Sequence, residues 1–198
     1  SLKKLGVDVQ ELQRWNCCGT VYSLATDDLM RHLASIRNLI RVKEAQTDSV
    51  MTLCAMCYNT LKRVNERVKA DPESLEKIHK FMDEEKISYR GDVRVRHLLE
   101  LLRDDIKFEN ISKKVSQPLK NLKVASYYGC LLVRPQEIGF DDMENPRILD
   151  DLMTALGAKA VEFPYKTECC GAYQTVDKPE VIAERTYSIL TSARNQGA

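Results

Sequence analysis

Apolar positions recur along this chain in two registers: short unbroken runs and stripes at helical spacing. After Cys17-Cys18-Gly19, the polar triplet Thr26-Asp27-Asp28 opens a helix whose Leu29, Leu33, Ile36 and Ile40 share one face. Val50-Met51-Thr52-Leu53 reads as a short buried strand running into Cys54. A charged helix over 60–69 follows and stops before Pro72, because a residue preceding proline is pushed out of helical geometry. From there to Pro118 the pattern is helical, with Leu98, Leu99, Leu102 and Ile106 forming an apolar face. The order then restarts. Residues 124–128 form a strand ending at Gly129-Cys130, and Pro146 stands in the first turn of a helix with Ile148, Leu149, Leu152, Met153 and Leu156 inward. Gly157 caps that helix, 160–163 is the next strand, and a last helix over 178–194 follows Cys169-Cys170-Gly171.

The polar stretch 112–121, which carries Pro118, is the natural boundary, so residues 1–116 and 117–198 are expected as two domains. Strand–helix alternation predicts an α/β fold: two similar half-domains with parallel strands flanked by helices. Cysteines just past strand ends stand where open parallel sheets place their binding crevices.

Composition narrows the function classes. With 43% hydrophobic residues in 198, the chain can bury a real core without cysteine staples. A net charge of +1 and no basic stripe interleaved with aromatics argue against nucleic acid as a partner. No apolar run approaches the roughly 20 residues that span a bilayer, and Ser1-Leu2-Lys3-Lys4 does not begin a secretory signal. A cytoplasmic location is therefore expected, and in a reducing compartment clustered cysteines serve metals or catalysis more often than disulfides.

All seven cysteines fall into grouped motifs. Cys-Cys-Gly occurs twice, at Cys17-Cys18-Gly19 and Cys169-Cys170-Gly171; 35 residues separate Cys18 from the Cys54-Ala55-Met56-Cys57 motif, and 38 separate Cys130 from Cys169. A two-residue gap lets both sulfurs of Cys-x-x-Cys reach one centre from a tight turn. Adjacent cysteines on a strand point to opposite sides, and a following glycine permits the turn that gathers them. A vicinal pair can bridge two irons, which favours a cluster over mononuclear zinc. Three rivals stay open: a four-thiolate zinc at Cys17, Cys18, Cys54 and Cys57; a thioredoxin-type dithiol at Cys54 and Cys57; and plain core cysteines, for which the duplication would be coincidence.

Cys-Cys-Gly followed at this distance by Cys-x-x-Cys resembles the Cys-Cys-Gly domain. The run Leu53-Cys54-Ala55-Met56-Cys57-Tyr58-Asn59-Thr60-Leu61-Lys62-Arg63 is similar to the B subunit of heterodisulfide reductases, as are Tyr127-Tyr128-Gly129-Cys130 and Pro164-Tyr165-Lys166-Thr167-Glu168-Cys169-Cys170-Gly171. The resemblance implies two non-cubane 4Fe-4S clusters, each held by five cysteines. Cys17, Cys18, Cys54 and Cys57 would serve the first, and Cys130, Cys169 and Cys170 the second. One ligand of the first set and two of the second fall outside the sequence, so the chain is expected to be a fragment, inactive by itself.

The implied activity is two-electron reduction of the coenzyme M–coenzyme B disulfide to two thiols, in a complex with a ferredoxin-like C subunit and a flavin-containing A subunit. A Cys-Cys-Gly electron-transfer subunit of an organic-acid or glycerol-3-phosphate dehydrogenase is the alternative, and a zinc-stabilised assembly module the third reading. Lys166, with Arg134 and Lys62, is the candidate to orient an anionic substrate group. His32, His79 and His97 lack ligand spacing and are expected as surface or satisfied histidines. Tyr22, Tyr127 and Tyr128 are expected to pack on the core, and Met51, Met56 and Met82 to fill apolar gaps; 77–86 reads as a solvated helix face.

Overall fold

The computed structural model describes residues 2–20, 30–82 and 89–198. In each half of the chain a pair of short parallel strands is flanked by helices, as the α/β pattern requires. The chain divides into two units, Ser1–Leu98 and Leu99–Ala198.

In the first unit, α1 (Met30–Glu44) buries Leu33, Ile36, Leu39, Ile40 and Val42. The helix start expected at Thr26 and the expected core position Leu29 lie outside the described residues, as does Tyr22. Strand β1 (Ser49–Thr52) pairs in parallel with β2 (Arg94–His97), Val50 opposite Val95 and Thr52 opposite His97. Parallel neighbours need a crossover, supplied here by α2 (Ala55–Ala70) and α3 (Pro72–Phe81). Helix α2 begins at Ala55 rather than at residue 60, with extended Cys54 as its N-cap, so Cys57 stands in its first turn.

Strand β2 interrupts the helix pattern read from Pro72 to Pro118. Val93, Val95 and His97 alternate with Arg94 and Arg96 at period two, and pairing with β1 selects that register over the helical one. Gly91 lets the chain pass close over α2: its φ is +77°, and an added Cβ would lie 2.6 Å from Lys69 Cγ and 2.9 Å from the Asn65 carbonyl oxygen. The buried Tyr89 hydroxyl donates to the Asn65 side-chain oxygen at the same crossing.

The chain continues through α4 (Leu98–Glu100), a π-helical segment at Leu101–Ile106 and α5 (Phe108–Lys113). In the second unit, β3 (Lys123–Val124) and β4 (Lys159–Ala160) pair in parallel, with α6 (Ile148–Ala155) between them in sequence. Both strands are shorter than the expected 124–128 and 160–163. Beyond β3 the N–H groups of Tyr128 and Gly129 bond to the Lys166 carbonyl instead of a strand neighbour. The Asp141 carboxylate accepts from the N–H groups of Arg147 and Ile148 at 2.8 and 2.7 Å and so caps the start of α6. Helix α7 (Pro179–Asn195) begins with proline and buries Ile189.

Candidate metal centres

The first cysteine group is built from three segments of the first unit. A buried polar seam on α1 fixes the Cys17-Cys18 segment. Asn38 exchanges side-chain bonds with the Asn16 backbone, accepting from its N–H at 2.9 Å and donating to its carbonyl at 2.8 Å. Ser35 Oγ donates to the Cys18 carbonyl at 2.6 Å. Gly19, at φ +75°, then turns the chain beside Ala34. The second pair arrives on the end of β1 and the start of α2. His97 Nε2 lies 3.3 Å from the Leu53 carbonyl, and its ring meets buried Tyr58 edge-on at 5.9 Å. These segments bring Cys18, Cys54 and Cys57 close enough to act on one another electrostatically, with Cys17 acting on Cys18 in the same way. Burial first, and then the adjacent sulfurs, hold Cys57 well above the ordinary thiol range; burial also raises Cys18.

The second group lies in the second unit. Cys130 follows the turn at Gly129, and its thiol lies close enough to Cys169 and Cys170 to feel the charge of both. Burial and these two neighbours push Cys130 up to about 11. The Tyr127 hydroxyl donates to the Glu168 carbonyl at 2.6 Å and also meets Cys170, which ties the two cysteine-bearing turns together. Arg185 donates to the Cys169 carbonyl at 3.2 Å from α7.

All seven cysteines are free thiols. Among the described residues, no three His, Cys, Asp or Glu side chains form a group that could hold a metal ion. The donor chemistry fits an iron–sulfur group. The candidate donors are cysteine thiols, and crowded, partly buried thiols resist ionisation unless a bound cationic group offsets the charge.

The other candidate residues are engaged within the protein. Lys62 Nζ donates to Tyr58 Oη at 2.6 Å, and Arg134 donates to Glu144 at 2.7 Å and to the Met143 carbonyl. The Lys166 ammonium points inward, to Asn145, Glu162 and the Pro146 carbonyl. His97 is buried and hydrogen-bonded, and Tyr128 is packed in the interior. Sequence reasoning missed Ser35 and Asn38; their sign is a pair of small polar residues, three apart, interrupting the apolar face of α1.

Comparison with known proteins places this geometry in a family. Residues 2–62 and 124–193 match the cysteine-rich domain, the two stretches carrying the two cysteine groups. The chain is 32% identical over 195 residues, 98% of its length, to the 8-methylmenaquinol:fumarate reductase membrane anchor subunit of Wolinella succinogenes, of which it covers 67%. It is 33% identical over 172 residues to the B subunit of the ferredoxin:CoB-CoM heterodisulfide reductase of Methanosarcina mazei, 86% of the chain and 57% of that protein. A protein of Archaeoglobus profundus that is itself like the heterodisulfide reductase B subunit is 30% identical over 84% of the chain, again with 57% of the relative covered. The chain thus spans little more than half the length of the heterodisulfide reductase subunits it matches. Among the described residues no helix is long and apolar enough to cross a membrane. The chain belongs to the cysteine-rich domain family, with the B subunit of the heterodisulfide reductases among its homologues.

Proposed function

We propose that this chain is the iron–sulfur subunit of a multisubunit oxidoreductase of the heterodisulfide reductase type, reducing a thiol-coenzyme mixed disulfide to two thiols. The supporting observation is the occurrence of two cysteine gatherings, each assembled within its own unit of the fold. Cys17, Cys18, Cys54 and Cys57 would hold one non-cubane 4Fe-4S cluster, and Cys130, Cys169 and Cys170 would contribute to the other. Bound iron would supply single electrons and a Lewis-acidic place for a departing sulfur. The chain's own part is to keep the thiols close, exclude competing ligands and hold both turns still. A ferredoxin-like protein and a flavin-bearing protein are the partners this reading needs as electron donors, and the cytoplasm is the compartment it fits.

A second reading has one observation in its favour. The match to the fumarate reductase protein runs over nearly the whole chain, which supports an electron-transfer role linking a quinol to an organic-acid oxidoreductase. Anaerobic reconstitution with iron and sulfide, followed by metal and sulfide analysis, tests the common ground. Iron with sulfide is expected, and zinc alone would leave only the assembly-module reading. Activity of the whole purified complex, with a coenzyme disulfide against fumarate and a quinol, separates the first two.

A further inference from the structure

We propose that Lys166, Asp150 and Tyr128 form a buried brace that sets the distance between the Cys130 turn and the Cys169-Cys170 loop, which makes Lys166 a positioning residue. This rests on the reading of those cysteines as one ligand set, and its test needs no iron.

Lys166 acts at both ends of its length. Its carbonyl accepts the N–H groups of Tyr128 at 2.9 Å and Gly129 at 3.1 Å, two residues and one residue ahead of Cys130 in the same turn. Its ammonium, 5% exposed as a residue, donates to Asn145 Oδ1 at 2.6 Å, Glu162 Oε2 at 2.7 Å and the Pro146 carbonyl at 3.1 Å. Three N–H donors meet three acceptors, so no proton of the ammonium is left for a substrate. Asp150, 2% exposed, lies 3.8 Å from the same nitrogen and accepts the Tyr128 hydroxyl at 2.9 Å. The Asp150 N–H returns to Tyr128 Oη at 3.1 Å, and the Lys166 nitrogen stands 5.8 Å from the Tyr128 ring centroid.

The contacts close a circuit. Tyr128 is tied to Lys166 through the main chain, Lys166 to Asp150 through charge, and Asp150 back to Tyr128 through the hydroxyl. Cys130 stands two residues beyond one corner and Cys169 three beyond another, so loosening any corner moves one thiol relative to the other. Lys166→Met takes away one partner of a buried ion pair and leaves Asp150 uncompensated, whereas Tyr128→Phe keeps the pair and removes only the hydroxyl corner of the circuit.

The test uses the metal-free full chain and diamide, which takes two electrons and two protons from a thiol pair as the S–S bond forms. Peptide mapping follows closure of the Cys130/Cys169 pair, with Cys18/Cys57 in the other unit as internal reference. Lys166→Met and Tyr128→Phe are each expected to slow Cys130/Cys169 closure about tenfold, a fraction of the roughly hundredfold that misplacing reacting atoms by about 1 Å can cost. Cys18/Cys57 closure should keep its wild-type rate. If Lys166→Met does not fold, Tyr128→Phe decides alone, because it removes only the hydroxyl. Unchanged closure of Cys130/Cys169 would overturn the brace, and so would equal slowing of both pairs, since the effect would then be general. Failure to bind iron would refute the functional reading and leave this result standing.

Discussion

The polar residues buried around the cysteines hold main chain in place. Ser35, 1% exposed, directs its hydroxyl to the Cys18 carbonyl, and replacing it with alanine removes that buried hydrogen bond. Ser35→Ala is expected to cost about 1–2 kcal/mol in urea unfolding, with the slope of the transition unchanged. His97 makes a separate, pH-dependent case. Burial holds its imidazole below the usual 6.5, only partly offset by the hydrogen bond at the Leu53 carbonyl. The neutral ring therefore favours the fold: its contribution is complete above about pH 6.5 and is lost as pH falls below it, where the unfolded chain takes up the proton first. Urea midpoints measured from pH 7.5 to 5 should fall less steeply for His97→Gln than for wild type. Parallel slopes would remove His97 from the account.

At the scale of elements, the decisive event in the first unit is that β1 ends where α2 begins. Cys54 takes the extended N-cap position and Cys57 the first helical turn, so one strand–helix junction presents both sulfurs. The junction is held from behind by β2, which carries His97, and β2 reaches its place only because the chain crosses α2 at Gly91. Gly91→Ala combines a positive φ with a contact 2.9 Å from main-chain oxygen, neither relieved by moving a flexible side chain. The expected loss is about 1–3 kcal/mol, read as a lower thermal midpoint. Helix periodicity was legible in α1, α6 and α7 because each repeats its apolar positions for at least two turns. The four-residue β2 was not, since Leu98 and Leu99 continue its apolar run into the next helix and blur the change of period.

For the molecule as a whole, two units each gather their own sulfurs, the first from three segments and the second from two turns. Under the proposed function the two sets load separately. Cys57→Ser removes the thiol that both Cys18 and Cys54 act on, and reconstituted iron should fall by roughly half while the second site keeps its spectrum. Loss of all iron from this variant would mean that the sites do not assemble independently.

The residue string alone determined how the cysteines group. Cysteine is rare and its spacing is covalent information, so the duplicated Cys-Cys-Gly, the Cys-x-x-Cys and lone Cys130 stood out, and their resemblance to the Cys-Cys-Gly domain implied two groups before any fold was known. It also determined the helices, because a core-facing stripe must repeat along the chain. Only tertiary structure decided how the groups are held. The bonds of Ser35 to Cys18, His97 to Leu53 and Lys166 to Tyr128 join residues 17, 44 and 38 positions apart. A hydrogen bond between such distant groups leaves no period in the sequence, and whether a lysine faces solvent or Asp150 is set by what packs over it.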